Sequence, residues 1–196
     1  MNTIQQQEKT FRVLTGKTVV ITGGTSGVGR AAAAAFALEG CNVVIGARGQ
    51  KGLDETVSLC HDLGAVALGV STDVSNMEEV KNLAELALQF NGRIDIWVNN
   101  AGVMASGKFE DIPVETLDQV VKTNLLGFLH GSYAVLPIFK RQKEGVLINN
   151  VSIGGWMPAP YATVYSSTKF GIRGMVEGLQ GEVSDEPKIH IVGLYP

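Results

Sequence analysis

Apolar positions along this chain fall into short runs and longer, face-periodic stretches, and the two kinds alternate from end to end. The short runs, residues 17–21, 42–45, 65–70, 94–98, 146–150 and 189–194, read as strands. Within 43–45 and 146–148 every position is apolar. Strands without in-out alternation are buried on both faces. The longer stretches predict helices. Residues 28–39 carry Ala31 through Ala35, then Ala37 and Leu38, a density that favours a helix and leaves small side chains against a sheet. Gly40 supplies its stop. Residues 53–63 form a second helix, ended by Gly64. Ser75 is placed to cap a third over 77–90, closed by Asn91 and Gly92. Pro113 opens a long one, in which Leu117, Val120, Val121, Leu125, Leu129 and Val135 recur on shared faces. Pro137 predicts a kink or irregularity late in it. Residues 165–183 form the last helix.

Six strands separated by helices predict an α/β fold: a doubly wound parallel sheet with helices on both faces, in one domain over residues 16–196. Residues 1–15, polar and containing Gln5, Gln6 and Gln7, read as an extension outside it.

Composition removes alternatives. Of 196 residues, 45% are hydrophobic, 18% are charged and 24 are Gly. Charge lies below the ~25% of an average soluble domain and Gly above the ~7% average, as in one compact, well-buried domain. The net charge of −3 leaves no basic surplus to neutralise phosphates, so neither nucleic acid nor an anionic membrane is an expected partner. No apolar run approaches the ~18 residues of a membrane span, and the N-terminal segment has no apolar signal core. A cytoplasmic protein is expected. Cys41 and Cys60 make no disulfide framework and fit no zinc spacing; they read as reduced structural thiols. His61, His130 and His190 are scattered, so no metal site is expected.

The first strand runs into Thr22-Gly23-Gly24-Thr25-Ser26-Gly27-Val28-Gly29. Glycines let a backbone turn tightly and approach a pyrophosphate, and the following helix aims free N–H groups at the anion. Spacing alone leaves an ordinary tight turn open; placement between strand and helix favours the nucleotide. The second strand ends at Gly46-Ala47-Arg48. An acidic residue near this strand end binds ribose hydroxyls and selects NAD, but position 47 is Ala. Arg48 offers a guanidinium fork to a 2′-phosphate, against the plain alternative of a surface arginine. Together they point to NADP(H), with NAD(H) as the alternative.

Tyr165 and Lys169 are four apart and share a helix face. An isolated phenol titrates near pH 10; a neighbouring ammonium favours the phenolate and brings such an acid/base towards working pH. Ser152 follows the fifth strand, thirteen residues before Tyr165. A loop of that length can return its hydroxyl beside the phenol, to bond a substrate oxygen. Tyr161 is a rival phenol, but the residue four further on is not basic. A Tyr and a Lys four apart also arise by chance, so that pair alone decides nothing.

Jointly, these residues resemble the short-chain dehydrogenase/reductase family over nearly all of 16–196. The motifs stand in family order: the Gly-rich segment at 22–29, Asp73-Val74 after the third strand, Asn99-Asn100-Ala101-Gly102, Asn124 in the long helix, Ser152, and Tyr165-Ser166-Ser167-Thr168-Lys169. The resemblance implies a Rossmann-type fold and an NADP(H)-dependent oxidoreductase that interconverts an alcohol and a carbonyl. It implies that Tyr165 is the general acid/base, that Lys169 lowers its pKa and holds the nicotinamide ribose, and that Ser152 orients the carbonyl or hydroxyl. Asn124 would anchor a water that relays protons to Lys169. Gly23, Thr25, Ser26, Gly27, Val28 and Gly29 would cradle the cofactor, with Arg48 beside them. Asp73 and Val74 would meet the adenine, Asn100, Ala101 and Gly102 would line the ribose side, and Pro196 would complete the cofactor set. Plainer readings stand beside these: Asn124 satisfying a helix backbone group, 99–102 stabilising a turn, Asp73 entering a helix. A nucleotide-sugar epimerase or an S-adenosylmethionine enzyme on a similar sheet would leave the 99–102 segment and the Ser-to-Tyr spacing unexplained.

The substrate expected is a small alcohol or carbonyl. Met104, Trp156, Met157, Pro160 and Tyr161 are candidates for an apolar pocket beside the chemistry, with loop packing as the alternative. The resemblance implies that the long helices, 113–139 and 165–183, pair across a two-fold axis into a homo-oligomer. Family members continue past the sixth strand with Pro-Gly, a substrate-covering segment, a helix and a seventh strand. Here Tyr195-Pro196 ends the chain. The expectation is therefore a longer native polypeptide, a small residue after Pro196, an outer sixth strand with an open edge, and weak turnover by the chain as it stands. A non-catalytic NADP-binding module, or an inactive fragment of such an enzyme, is the alternative function.

Overall fold

The computed structural model describes residues 14–196, so the polar extension read over 1–15 lies outside the described residues except for its last two. Six strands form one parallel sheet: β1 (Thr18–Thr22), β2 (Asn42–Ala47), β3 (Ala67–Ser71), β4 (Ile96–Asn99), β5 (Gly145–Asn150) and β6 (Ile189–Leu194). Their order is β3-β2-β1-β4-β5-β6, with Val19 of β1 opposite Val43 of β2 on one side and Ile96 of β4 on the other. This is the Rossmann-type order, and β6 is an outer strand, as the sequence predicts.

Among the described residues, the helices α1 (Gly27–Leu38), α2 (Gln50–Asp62), α3 (Met77–Asn91), α5 (Gly127–Gln142) and α6 (Thr163–Glu182) cover the sheet, while the short α4 (Val114–Val120) packs against α6. Successive strand residues point to opposite faces, and both faces are covered. On one, Val19, Ile21, Val43, Ile45, Ile96 and Val98 pack with Ala33 and Ala37 of α1 and Leu53 and Cys60 of α2. On the other, Val20, Val44, Trp97 and Leu147 pack with Leu83 of α3, Phe128 and Val135 of α5 and Ile172 of α6. Each such side chain contributes about 1.5–3 kcal/mol by leaving water. The small alanines of α1 allow that helix to lie close on β1, which brings its N-terminus to the end of the strand.

Three local expectations change. The cap of α3 is Asn76, whose side chain accepts the Glu78 N–H at 3.0 Å. Ser75 instead donates its hydroxyl to Asp73 Oδ1 at 2.7 Å, because the residue adjoining the first turn is the one whose side chain reaches its free N–H groups. Helix α2 starts at Gln50 rather than Leu53; its first turn is polar, and apolar periodicity does not register it. The long helical stretch is not one α-helix: it contains Pro137 within α5 and is interrupted earlier by a π turn over Val121–Leu126. That turn holds buried Thr123 and Asn124, and Asn124 bonds to backbone outside the helix.

Connections leave β1 towards β2 and leave β4 towards β5. The carboxyl ends of β1 and β4 are therefore adjacent at the point where strand order reverses, which is where such sheets form a crevice.

Candidate active site

The loops after β1 and β4 are joined there by side chains. Thr22 Oγ1 accepts the N–H of Asn100 at 3.0 Å and of Ala101 at 3.3 Å. Asn100 Nδ2 donates to the carbonyls of Thr22 at 3.1 Å and Gly23 at 3.2 Å. Gly23 has φ +67°, and a Cβ there would lie 2.7 Å from the Ala101 Cα. A Cβ on Gly29 would fall on the Gly23 carbonyl and 2.5 Å from Asn100 Nδ2. Both positions need glycine for space, and Gly23 needs it for its backbone angle as well.

These loops border a cleft of about 640 Å³. Gly23, Thr25, Ser26, Gly27, Val28, Arg48, Asp73, Val74, Asn100, Ala101 and Gly102 line it. Gly29 is absent from its lining, since it is packed beneath the loop. Pro196 is absent too; its carbonyl instead accepts the Ile153 N–H at 2.9 Å. Ala47, Gly49, Thr72, Val103, Thr123 and Asn150 complete the wall. All of these except Thr123 stand at or just beyond the carboxyl end of a strand, the one signal that finds them. Asp73 and the exposed Arg48 both line the cleft. Burial raises the Asp73 carboxyl, but hydrogen bonds from the Ser75 hydroxyl and N–H, with the Arg48 charge, outweigh it and hold the group below its usual range.

Ser152, Tyr165 and Lys169 meet beyond the end of β5. Ser152 has φ +84°, and its Oγ accepts the Gly154 N–H at 3.3 Å. Gly154 stands between the serine and the tyrosine: a Cβ there would lie 3.2 Å from Tyr165 Cε1 and 3.7 Å from Ser152 Oγ. Lys169 is 4% exposed. Its Nζ donates to the Asn150 carbonyl at 2.8 Å and lies 5.0 Å and 5.5 Å from the centres of the Phe128 and Tyr165 rings. Burial pushes this ammonium down to about 8. Asn150 Nδ2 also donates to Asn100 Oδ1 at 3.0 Å, and Asn100, which bonds the Gly23 carbonyl, completes a link from the lysine to the Gly-rich loop.

Asn124 is fully buried. Its Oδ1 accepts the Val103 N–H and its Nδ2 donates to the Val103 carbonyl, both at 2.8 Å, with Thr168 Oγ1 at 3.4 Å. It does satisfy backbone groups, but those of the segment after Gly102 rather than of its own helix. The rival Tyr161 is exposed, and its carbonyl accepts the Gly107 N–H. Met104 and Met157 are exposed as well. Trp156 lies against Arg173 and Tyr195.

The model of the short chain dehydrogenase family matches residues 17–196. An uncharacterized oxidoreductase of Staphylococcus aureus (strain USA300) is 38% identical over 173 residues, which cover 88% of this chain and 74% of that protein. A short chain dehydrogenase/reductase from Burkholderia phymatum, solved in complex with NAD, superposes with a TM-score of 0.87 at 32% identity, covering 92% of this chain and 64% of that one. An actinorhodin polyketide ketoreductase variant with NADPH superposes with a TM-score of 0.89 at 30% identity, covering 92% of this chain and 70% of that one.

Proposed function

The chain belongs to the short-chain dehydrogenase family, and on that premise we propose that it is an NADP(H)-dependent oxidoreductase interconverting an alcohol and a carbonyl. The observation that carries this reading is Lys169, a buried ammonium held by a carbonyl and two ring faces rather than by a carboxylate. Burying a charge without a counter-charge is costly, and such costs cluster at functional sites.

The cleft suits a dinucleotide. Its floor is bare backbone at Gly23 and Gly27, and α1 points its N-terminus into it. Gly23, Thr25, Ser26, Gly27 and Val28 are assigned to the pyrophosphate, Asp73 and Val74 to the adenine side, and Asn100, Ala101 and Gly102 to the ribose side. Gly29 makes the close approach of α1 to the loop. The two solved relatives bind different nicotinamide cofactors, NAD in one and NADPH in the other. Ala47 and Arg48 favour NADP(H) here: no carboxylate occupies position 47 to repel a 2′-phosphate, and a cation follows it.

The nicotinamide, when bound, supplies or takes up the hydride; the protein's residues manage position and the proton. The Ser152 hydroxyl bonds the substrate oxygen. Tyr165 gives its phenolic proton to that oxygen during reduction and takes it back during oxidation. The Lys169 ammonium offsets the negative charge left on the phenol oxygen and holds the nicotinamide ribose. Asn124, with its amide committed to Val103, fixes the 100–103 wall of the cleft, and it is assigned the water that relays protons to Lys169. The two cysteines, free and buried, with the Cys41 thiol pushed up to about 11 mainly by burial, support a cytoplasmic setting. Apolar side chains exposed on α5 support self-association.

The test is oxidation of NADPH and of NADH over a panel of aliphatic and aromatic ketones and aldehydes. Turnover with NADPH preferred is expected. Tyr165→Phe is expected to abolish it while calorimetry still shows NADP binding. Equal use of both cofactors, or an unchanged rate in Tyr165→Phe, would refute the corresponding assignment.

A further inference from the structure

We infer that Trp156 and Arg173 form a clamp that fixes the Ser152 hydroxyl, which makes both of them positioning residues for the reaction proposed above, on which this inference rests. Ser152 lies at φ +84° and ψ +154°. A residue with a side chain stays in such a region only where its surroundings over-determine it.

Two sides of that surrounding are backbone. From the end of β6, the Leu194 carbonyl accepts the N–H groups of Val151 at 2.8 Å and Ser152 at 3.1 Å, and the Pro196 carbonyl accepts that of Ile153 at 2.9 Å. On the α6 side the turn Ile153–Gly155 lies flat against the helix. A Cβ on Gly155 would be 3.0 Å from the Lys169 carbonyl oxygen, and one on Gly154 would be 3.2 Å from the Tyr165 ring. Two glycines in succession give the turn a close seat but no side chain with which to grip it.

Trp156, the next residue, supplies the grip. The Arg173 guanidinium carbon lies 3.4 Å from the centre of its ring, and the Tyr195 ring stands 5.7 Å away at 55°. Glu177 Oε1 accepts from Arg173 Nε at 2.8 Å and orients the guanidinium. A planar cation stacked on an indole face is a directional contact. Tyr165, Lys169 and Arg173 stand at successive four-residue steps on α6, so they share one face. The stack therefore sets the serine-bearing turn in register with the face that carries the tyrosine and the lysine. Trp156 is 50% exposed, too open for a core residue; what its ring does is bridge α6 and the end of β6 across the turn.

Trp156→Ala, Trp156→Phe, Arg173→Met, Ser152→Ala and the Trp156→Ala/Ser152→Ala double variant test this in the full chain. Amide hydrogen exchange is followed by peptide, and NADPH oxidation is measured with the panel carbonyl that the parent turns over fastest. In Trp156→Ala and Arg173→Met, exchange over 151–157 is expected to rise about tenfold while peptides of α1 and β1 stay as in the parent. A fall in kcat on the order of 10- to 100-fold is expected, with the KM for NADPH unchanged. Trp156→Phe, which keeps a ring under the guanidinium, should recover most of both. The double variant should be no slower than Ser152→Ala alone. Unchanged exchange over 151–157, loosening spread through the chain, or additive effects in the double variant would overturn the clamp. If Ser152→Ala keeps the parent rate, the catalytic assignment of the serine fails instead, and the exchange data still decide the clamp.

Discussion

Lys169 links the chemistry to folding. Its ammonium is pushed down to about 8 by burial, against an ordinary value of 10.5. Between those values the unfolded chain holds a proton that the folded chain has released, so the unfolding free energy rises with pH across that window. Below it both states are protonated and the contribution is flat, at the full cost of the buried charge. Denaturant midpoints of the parent and Lys169→Met, compared at about pH 7 and about pH 9.5, should show the parent gaining on the variant at the higher pH. A constant difference would contradict a depressed lysine. Arg48 carries the second prediction at this level. Arg48→Ala should weaken NADP more than NAD by about 1.5 kcal/mol, the low end for a charge-assisted bond because the side chain is exposed; calorimetric titration of both cofactors measures it. Most of these residues were legible in the sequence because their chemistry is local: a Gly-rich turn after a strand, a Tyr and a Lys one helical turn apart. Asn150 was not. Its place at the end of β5 marks it only as part of the cleft wall, and its role comes from contacts with Lys169 and Asn100, 19 and 50 residues away.

Helix α1 shows how one position can tie an element to the cleft. Gly29 lies in its first turn, with the Gly23 carbonyl and the Asn100 amide in the space a side chain would fill. Gly29→Ala must move the helix or the loop. Overpacking of this kind costs roughly 1–3 kcal/mol, read as a lower urea midpoint, and nucleotide affinity should fall with it because the displaced atoms are the cradle. Affinity unchanged in a destabilised protein would separate the helix contact from the cleft. The sequence marks this glycine by spacing but cannot tell its two uses apart, since a lining glycine and one packed beneath the lining look alike in a motif. The interruption of the long helical stretch is hidden in the sequence for a related reason. Pro137 is visible as a missing N–H, yet α5 passes through it. The π turn at Val121–Leu126 has no local sign; it accompanies the bonds of Asn124 to Val103, 21 residues back.

Alternating strands and helices give a parallel sheet directly, but not the order in which strands lie. Right-handed crossovers and helices on both faces restrict that order, and the reversal between β1 and β4 is what opens the crevice. The same layering leaves the outer side of α5 without a sheet to cover it. Leu129 and Tyr133 are exposed there, with Tyr133 at 70%, and Leu126 is exposed in the π turn just before it. Leu129, Tyr133, Leu136, Met175 and Leu179 line a groove of about 790 Å³ between α5 and α6, with Lys81, Lys140 and Glu182 also in its wall. A contiguous apolar surface of this kind marks an interaction site. A second copy related by a two-fold axis would set α5 and α6 against their own counterparts, so that one apolar patch covers the other. The contact would be mainly hydrophobic, and raising ionic strength should not dissolve it. Sedimentation equilibrium of the parent should therefore give a dimer or larger closed assembly at both low and high salt. Tyr133→Arg, which puts a charge at the patch and its symmetry mate together, should shift the protein to monomer while its far-UV circular dichroism stays as in the parent, because Tyr133 is exposed within one chain. A parent that is monomeric at high concentration, or a Tyr133→Arg variant that assembles as the parent does, would show that this face is not where two copies meet.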